Sequence, residues 1–519
     1  MKQSNSLFPQ TVDLTNCDKE PIHIPGLIQP HGILFVLQEP QLKIIQVSNN
    51  TFNALGIHPQ EILENKLKDF LDLRLTQLIK EKLAEGLETI NPLKISIITQ
   101  KGELFFDGIL HRSQGLLILE LEPVTSKEFS NFFSLYHLVQ APIAKIQKTL
   151  TLNELCQAIV EEVRKLTGFD RVMVYQFDAE DAGTVIAEDK LEGLSPYLGL
   201  HYPASDIPRQ ARHLYALNLL RLVPDVNYQP VELIPVDNPV TNQPINLSFS
   251  VLRSVSPIHV EYLKNMGVGA SMSISLIRNQ KLWGLIACHH QSAKYVSHEV
   301  RTACELLGKV MALEASSKED NERLDYQIKL KSIQSKFVES ISQKESFVDG
   351  LLKERSNLLD LVGAQGAAIC ANENLTLIGQ TPDLTDIQAL INWLATHMDQ
   401  DIFYTDALPR LYPAAEKFKE VASGLLALSI SNLQKHYVLW FRPEVIQTVN
   451  WAGNPNKPVE VKQNGDIRLT PRKSFELWQE TVRLQSLPWK PCEIEIALEL
   501  RSAIVGIVLR KADELAKVN

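Results

Sequence analysis

The chain of 519 residues is poor in the features that mark secreted, membrane-spanning and nucleic-acid-binding proteins. Its six cysteines are scattered without a Cys-x-x-Cys pair, which disfavours both a disulfide scaffold and a zinc site. It has no apolar run long enough to span a bilayer, and its polar N-terminus carries no signal-peptide pattern. The net charge of −9 argues against a nucleic-acid partner. We therefore expect a cytoplasmic protein that binds neither membrane nor nucleic acid.

The length and the pattern of apolar residues predict three domains that mix helices with strands. At about 150 residues per domain, a chain of this size supports three hydrophobic cores. Residues 1–25 show no periodicity and contain three prolines, so this arm is expected to be extended. The first domain is predicted from two strands, a helical stretch and three further strands, near 33–37, 43–47, 60–87, 94–99, 104–110 and 115–121.

The second predicted domain begins with two helices, over residues 125–148 and 152–166, and continues with a strand over 171–177. Residues 223–247 hold five prolines in a mostly irregular loop. A loop of that length inside a compact domain is uncommon and is usually functional. We therefore expect this loop to do more than connect two elements.

The stretch from Val251 to His290 sets polar side chains among apolar runs. It holds three histidines, one tyrosine and five serines. Ser271 to Ser275 alternates polar and apolar residues, which predicts a strand with one polar face, and Leu282 to Cys288 predicts a second, buried strand. Donors on rigid strands beside apolar walls suit a small organic ligand with acidic groups. This stretch is therefore the candidate binding pocket.

The region from 309 to 349 contains neither glycine nor proline, and its apolar residues recur at helical spacing. The stripe is formed by Tyr326, Leu330, Ile333, Phe337 and Ile341. A long amphipathic helix of this kind serves either as a rod and dimer seam or as a face packed on its own domain. The sequence leaves both alternatives open.

Residues 357–505 predict a third α/β unit, and its last part carries a hairpin signal. The pair Asn464-Gly465 predicts a tight turn between two strands of alternating apolar residues. The spacing of the next apolar residues fits a helix face as well as a strand, at Phe475, Trp478 and Val482. A final amphipathic stripe predicts a terminal helix, at Ile496, Leu500, Ala503 and Ile507.

Several multi-residue segments carry a family resemblance. SPIHVEYLKNMGVGAS, LWGLIACHH and the PASDIP run at 203–208 resemble the bilin-binding GAF domain of phytochromes. CDKEPIHIPGLIQPHG resembles the phytochrome segment that leads into the PAS domain. The region from Trp440 to Trp478 resembles the tongue of the phytochrome-specific PHY domain. The chain as a whole thus resembles the PAS-GAF-PHY photosensory core of a bacterial, biliverdin-type phytochrome.

The resemblance implies an α/β (α+β) fold of three tandem PAS/GAF-like domains with central antiparallel sheets, joined by long helices. The arm and the PAS domain would occupy 1–124, the GAF domain 125–315, and the connecting helix, the PHY domain and the output helix 316–519. The tongue would lie near 440–485, and the arm would thread through the lasso formed by the 223–247 loop, a true knot. The resemblance also implies a homodimer through the long helices, no catalysis in this chain, and a kinase with its response regulator as partners of a longer chain.

The implied cofactor is biliverdin, a linear tetrapyrrole held by a thioether. Cys17 lies in the polar segment TNCDKEP before any periodic structure, so its sulfur is expected to be accessible. In biliverdin-type phytochromes a cysteine at this place bonds the A-ring vinyl group. Phytochromes that use other bilins carry their cysteine just before the histidine of an HxxY segment, where this chain has Ile258. The pattern therefore points to biliverdin attached to Cys17.

The resemblance also assigns the residues that would hold the bilin. Arg221 and Arg253 would bind the propionates, because guanidinium groups suit carboxylates, although each alone is more often a surface ion pair. His259 would lie over the pyrrole nitrogens and His289 near the D-ring carbonyl, although a lone histidine on an apolar strand is more often a satisfied core residue. The other assigned residues are Tyr175, Tyr202, Asp206, Ile207, Pro208, Tyr215, Tyr262, Ser271 and Ser273.

The implied mechanism is a light-driven Z/E rotation of the D ring that is relayed to the tongue. The carboxylate of Asp206 would exchange Arg472 for Ser474, while the tongue converts from hairpin to helix. A stretch that fits both a strand and a helix suits such a two-state element. The resemblance thus implies a red/far-red photoreceptor that signals to a C-terminal output.

Three other interpretations compete with the photoreceptor. Ser297 to Thr302 resembles the phosphoacceptor box of a sensor histidine kinase with a GAF small-ligand input, with His298 as acceptor. A GAF module that binds a cyclic nucleotide is the second, but it would need a glycine-rich phosphate nest, and none is evident. The Cys288-His289-His290 triplet suggests a metal site, which we disfavour because adjacent strand residues point to opposite faces.

Overall fold

The computed structural model shows a mixed α/β protein and describes residues 20–71, 73–86, 89–99, 102–125, 134–344, 346–371, 374–398, 400–431, 436–453, 455, 459–461, 467–469, 475 and 477–518. The residues group into two compact units, one of 1–318 with 450–478 and one of 319–449 with 479–519. Within the described ranges, no helix combines the length and the hydropathy that crossing a membrane requires.

The N-terminal part of the first unit forms a sheet that is buried on both faces. Its elements are β1 (Leu27–Ile28), β2 (Ile33–Gln38), β3 (Lys43–Ser48), α1 (Thr51–Leu55), α2 (Pro59–Ile62), α3 (Leu73–Ala84), β4 (Thr89–Thr99), β5 (Gly102–Ser113) and β6 (Leu116–Val124). In β2, Ile33 and Phe35 face a core formed with the helices, while Leu34 and Val36 face a second apolar cluster. Successive strand residues point to opposite faces, so β2 requires cover on both sides. The five predicted strands are confirmed.

The helical stretch predicted over 60–87 is present but divided, because the chain breaks between α2 and α3. Glu64 adopts a left-handed φ of 69°, which ends α2. The amide of Glu64 donates to the carbonyl of Ile44 and the amide of Leu67 to that of Leu42, so the segment runs back along β3. These backbone bonds replace helical ones, and no glycine or proline marks the break in the sequence.

The next part of the first unit forms a second antiparallel sheet. Its elements are α4 (Ser134–Gln147), α5 (Leu152–Thr167), β7 (Arg171–Phe177), β8 (Gly183–Lys190), β9 (His201–Tyr202), α6 (Arg209–Leu217), β10 (Leu220–Val223), β11 (Val231–Ile234), α7 (Pro257–Asn265), β12 (Ala270–Arg278) and β13 (Lys281–His290). Within the sheet the neighbouring strands run in the order β10, β12, β13, β7, β8 and β9. Thr151 and Glu154 form a capping box that starts α5, and Gly168 ends that helix with a φ of 65°. The strands predicted over 171–177, 271–275 and 282–288 are confirmed.

The proline-rich loop contains a short strand that the sequence did not predict. β11 pairs with β1 and with β3, so the first sheet runs in the order β1, β11, β3, β2, β6, β5 and β4. On the other side of the arm, the amide of Leu247 donates to the carbonyl of His23 at 2.8 Å and the amide of Gln29 to that of Leu252 at 2.7 Å. The arm is therefore bonded to the loop through β1 and His23, and to the stretch directly after the loop through Gln29.

The remaining elements include the long helix and a third sheet. They are α8 (His298–Gln343), α9 (Phe347–Lys353), α10 (Arg355–Asp360), β14 (Gly366–Ala371), β15 (Asn374–Gly379), α11 (Leu384–His397), β16 (Ile402–Thr405), α12 (Leu408–Leu411), α13 (Lys419–Ala422), β17 (Gly424–Ser431), β18 (His436–Arg442), β19 (Gln447–Ala452), β20 (Val459–Val461), β21 (Ile467–Leu469), β22 (Leu477–Val482) and α14 (Pro491–Val518). The third sheet runs in the order β15, β14, β18, β17 and β16. The predicted long helix and terminal helix are thereby confirmed as α8 and α14.

The apolar stripe of α8 packs on its own domain. Its members Leu330, Ile333, Phe337 and Ile341 are buried in one cluster with residues of the third sheet and of α14. The hydroxyl of Tyr326 donates to Glu493 at 2.7 Å. Of the two alternatives left open by the sequence, the stripe is therefore a face packed on its own domain. The prediction that these side chains form a dimer seam is wrong.

The predicted tongue hairpin forms, but its strands pair one residue away from the register that a two-residue Asn464-Gly465 turn would impose. Val459 pairs with Leu469 and Val461 with Ile467, which leaves five residues for the turn. The turn residues Asn464 and Gly465 lie outside the described residues. The stretch that fitted either a helix or a strand is the strand β22, with Phe475 preceding it.

Candidate functional site

A deep pocket in the first unit gathers most of the predicted site residues. Its empty space measures about 1290 Å³, including the part that opens to solvent. Ten of the fourteen predicted cofactor-binding residues line it, namely Asp206, Ile207, Pro208, Tyr215, Arg221, Arg253, His259, Tyr262, Ser271 and Ser273. The alternation that predicted β12 explains why its serines line the pocket. Successive side chains of a strand point to opposite faces, so Met272 and Ile274 face the core while Ser271 and Ser273 face the pocket.

Arg221 is held on the pocket wall by the pairing of β10 with β12. Arg221 stands opposite Ser273 in the register, and its Nε donates to the Ser273 hydroxyl at 3.0 Å. Its Nη1 donates to Ser275 and to the carbonyl of Asn218, both at 2.7 Å, and its guanidinium lies 3.9 Å from the Tyr215 ring centre. Its Nη2 is buried without a hydrogen-bond partner. One face of this cation is thus fixed and the remaining nitrogen is left for another group.

Arg253 is the second buried cation of the pocket. Its side chain is 8% exposed, its Nη1 donates to the carbonyl of Ile22 at 2.7 Å, and its Nε has no hydrogen-bond partner. Across the part of the chain that the structure describes, no carboxylate lies within 4 Å of the guanidinium of Arg221 or Arg253. Burial lowers the pKa of Arg221 to about 10 and also lowers that of Arg253. The pocket therefore offers two desolvated cations that a ligand with two carboxylates would neutralise.

Helix α7 brings a neutral histidine and a tyrosine into the same pocket. The hydroxyl of Ser256 caps the helix by accepting from the amide of Ile258 at 3.3 Å. Burial, followed by the charges of Arg221 and Arg253, lowers the pKa of His259 to about 4. At neutral pH this imidazole is uncharged, so one nitrogen can donate and the other can accept.

Asp206 faces the pocket from a single 3-10 turn, Ala204–Asp206. The hydroxyl of Tyr262 donates to its carboxylate at 2.9 Å, and the ring of Tyr262 meets the edge of Phe475 at 5.2 Å between centroids. Arg212 supports the turn by donating to the carbonyl of Ile207 at 2.7 Å. The carboxylate of Asp206 is therefore linked through one tyrosine to a residue of the tongue.

Three predicted residues do not line the pocket, and two of them, Tyr175 and His289, continue the face of the sheet on which the lining serines lie. Tyr175 and Tyr202 have ring centroids 5.7 Å apart in an apolar cluster that also contains Ile207 and Tyr215. The Tyr175 ring covers Gly183, where a Cβ would come within 1.8 Å of it. His289 stands opposite Ser271 on β13, and burial, with Arg171 next, lowers its pKa to about 3. Cys17, Arg472 and Ser474 lie outside the described residues.

The metal and phosphoacceptor interpretations find no support in the placement of their residues. Cys288 is buried in the apolar core and pairs with Met272, while His289 pairs with Ser271 of the pocket wall. These adjacent side chains therefore diverge. His298 is only 8% exposed, and its pKa is lowered mainly by burial, so its ring is poorly placed for a kinase to reach.

Eleven further pocket residues were missed at the level of sequence. Ile258 was named there only as the position that lacks a cysteine. The eleven residues are Glu20, Ile22, Ser205, Gln210, Ala211, Leu214, Val223, Val255, Ser256, Ile258 and Pro455. The arm has no periodicity that would have indicated contact with the pocket, and Pro455 comes from the distant tongue. The one usable signal was the position of Glu20, directly before the single proline of TNCDKEP.

Comparison with known proteins agrees with this architecture. Three family models match, described as PAS fold at residues 17–124, GAF domain at 151–316 and phytochrome region at 330–513. The chain is 57% identical to cyanobacterial phytochrome B of a Nostoc species, over all of this chain and 69% of that protein. The crystal structure of bacteriophytochrome RpBphP3 from R. palustris matches with a TM-score of 0.84 at 42% identity, covering 96% of this chain and 100% of that one. The photosensory core module of the Stigmatella aurantiaca phytochrome matches with a TM-score of 0.80 at 49% identity, over 96% and 99% of the two chains. The chain therefore belongs to the phytochrome family of bilin-binding photoreceptors and has the PAS-GAF-PHY photosensory architecture.

Proposed function

We propose that this phytochrome is a red/far-red photoreceptor of the cytoplasm that carries biliverdin on Cys17. The observation that supports this proposal best is the pair of buried guanidinium groups in the pocket. Each has a nitrogen without a partner and neither has a carboxylate neighbour in the described part of the chain. Leaving such nitrogens unsatisfied costs about 1–3 kcal/mol each, which two propionates would relieve.

Biliverdin is favoured over other bilins by the distribution of thiols. Ile258, which lines the pocket directly before His259, offers no sulfur. The other five cysteines lie away from the pocket lining, and four of them are buried. Cys17 is therefore the remaining thiol, and in the biliverdin-type phytochromes that this chain resembles a cysteine at this place attaches to the A-ring vinyl group.

The residues of the pocket divide the work of holding and switching the pigment. The bilin, when bound, supplies light absorption and Z/E isomerisation of its D ring. Arg221 and Arg253 hold the propionates, and neutral His259 both donates and accepts a hydrogen bond. Tyr175 and His289 extend the face of the sheet that carries the lining serines, and Tyr202 packs with Tyr175; beside the lining, these three would limit the space and polarity around the D ring.

The relay from the pocket to the tongue runs through Asp206. Its carboxylate accepts from Tyr262, whose ring contacts Phe475, and Trp451 of the tongue pairs with His201 of β9. We propose that Asp206 holds Arg472 while β19 and β22 are strands, and that it holds Ser474 after the tongue refolds to a helix. Apolar spacing that fits a helix as well as a strand, at Phe475, Trp478 and Val482, suits an element that changes between two conformations.

The proposed output uses the long helices. Because the stripe of α8 is buried, a homodimer must use other residues, and α8 exposes Leu313, Leu324 and Ile328. In a longer chain, a histidine kinase and its response regulator would receive the signal. We also propose that the three domains span residues 1–124, 125–315 and 316–519.

Mixing the pigment-free protein with biliverdin tests the proposed function. We expect a red-absorbing product that switches under red and far-red light and keeps its pigment after denaturation. Parallel samples receive a cyclic nucleotide or labelled ATP, and we expect neither a thermal shift nor labelling of His298. A sample that stays colourless, or that is coloured but insensitive to light, would refute the proposal.

Removing the Asp206 carboxylate should block formation of the far-red-absorbing state. We expect Asp206→Ala to bind pigment and absorb red light, because the buried arginines are unchanged, and to lose most of the far-red product after illumination. Asp189→Ala is the matched control, because Asp189 pairs with Arg164 at 3.1 Å and neither residue lines the pocket. A normal far-red state in Asp206→Ala, measured by difference spectroscopy, would show that the relay assignment is wrong.

A further inference from the structure

Glu20 is an acidic residue in a pocket that is otherwise built to receive acidic groups. It belongs to the arm, lines the pocket and is half-buried. Burial raises the pKa of its carboxyl group, which the Ser256 hydroxyl opposes. A buried carboxylate that faces an anionic ligand is unfavourable unless a hydrogen bond or an ion pair stabilises it.

The carboxylate of Glu20 is fastened to the helix that carries the pocket histidine. The Ser256 hydroxyl lies 3.0 Å from one Glu20 oxygen and 3.1 Å from the other. Ser256 is also the N-cap of α7, on which His259 stands one turn away. The next contact along the arm is the Ile22 carbonyl, which accepts from Arg253. The arm is thus pinned at two points to two elements of the pocket.

The pin at Glu20 limits where the attachment sulfur can be. Cys17 lies outside the described residues, three positions before Glu20. Three residues of extended chain span at most about 11 Å, so fixing Glu20 at the pocket keeps the Cys17 backbone within that distance of it. Without the contact to Ser256, the first fixed point would move to Ile22 and the tether would lengthen by two residues.

We propose that Glu20, through its hydrogen bond with Ser256, is the positioning residue for covalent attachment of the bilin to Cys17. This inference rests on the proposed function. In the attachment step the Cys17 sulfur forms a bond to one vinyl carbon, the carbon–carbon double bond becomes single, and the thiol hydrogen ends on the neighbouring vinyl carbon. The step consumes no oxidant or reductant. Glu20 acts on its rate by raising the effective concentration of the thiol at the vinyl group.

The test separates uptake of the pigment from formation of the bond. Biliverdin is added to the pigment-free protein, samples are denatured at intervals, and the fraction of pigment that stays with the polypeptide is followed. We expect Glu20→Ala and Ser256→Ala each to slow attachment by about tenfold, and the double variant to be no slower than either single one. The affinity of Glu20→Ala for biliverdin, measured in a Cys17→Ser background, should not fall, because the variant removes a carboxylate from the lining of a pocket for an anionic ligand; slower attachment then cannot come from weaker uptake.

Conservative and neighbouring variants serve as controls. Glu20→Gln keeps an oxygen that accepts from Ser256 and should restore attachment to within about threefold of the parent rate. Ser254→Ala removes a neighbouring hydroxyl that bonds Tyr228 at 2.8 Å, and it should leave the attachment rate unchanged. Unchanged rates in Glu20→Ala, or slowing that multiplies in the double variant, would overturn the inference.

A pigment-free measurement distinguishes failure of this inference from failure of the proposed function. Hydrogen exchange in residues 20–26 of the apoprotein reports directly on the pinned arm. Glu20→Ala should speed this exchange and Ser254→Ala should not. If the parent protein takes up no biliverdin, the proposed function fails. If Glu20→Ala leaves amide exchange in residues 20–26 unchanged, the hydrogen bond between Glu20 and Ser256 does not hold the arm, and this inference fails whether or not the protein binds biliverdin.

Discussion

Replacing Cys17 with serine should abolish the covalent adduct and leave pigment that is lost on denaturation. A thiolate is a strong nucleophile, whereas a serine hydroxyl remains protonated and does not add to a vinyl group without an activating base. The pocket that holds the propionates is unaffected, because its arginines are fixed by Ser273, Ser275 and backbone carbonyls. We therefore expect the native variant to be coloured and its denatured polypeptide to be colourless. The readout is pigment absorbance of the protein fraction after denaturation.

Two further variants make the Cys17 result specific. Cys492→Ser removes a half-buried thiol of the second unit and should leave the adduct intact. Ile258→Cys in the Cys17→Ser background places a thiol on the pocket lining, where a bilin with a reactive A-ring side chain could attach again. A covalent biliverdin adduct that survives Cys17→Ser alone would contradict the attachment site.

The pocket could be predicted from the sequence wherever its residues lie on regular elements. Ser271 and Ser273 alternate with core residues, and this period fixed both the strand and the face that lines the pocket. The arginines on that wall needed the family resemblance, because a single arginine carries no pattern. Pairing of β10 with β12 then explains why Arg221 meets Ser273.

The features that escaped prediction depend on contacts between distant segments. β11 lies in a proline-rich loop and becomes a strand only because β1 and β3 offer backbone partners on both sides. Glu20 lines the pocket because its carboxylate accepts a hydrogen bond from Ser256, which lies more than two hundred residues away in the sequence. The stripe on α8 had the correct period, but periodicity alone does not identify the partner that covers it. Such contacts are properties of the folded chain, and local sequence does not encode them.

Removing the two buried cations should produce the largest loss of affinity for the pigment. In the Cys17→Ser background, Arg221→Ala and Arg253→Ala should each weaken biliverdin binding by about ten- to a hundredfold, the usual worth of one hydrogen bond to a charged group. The double variant should lose more than either single one, because each guanidinium meets a different propionate. Arg164→Ala is the matched control, since Arg164 pairs with Asp189 at 3.1 Å and does not line the pocket.

A second ligand tests whether the loss comes from charge recognition. The dimethyl ester of biliverdin has no carboxylates, so the parent protein should bind it more weakly than biliverdin. The arginine variants should then lose little further affinity for the ester, because the group that each arginine recognises is already absent. Equal losses for the acid and the ester would mean that these arginines support the shape of the pocket, through Ser273 for Arg221 and through Ile22 for Arg253. In that case the two buried cations would be structural, and recognition of the propionates would have to come from other residues.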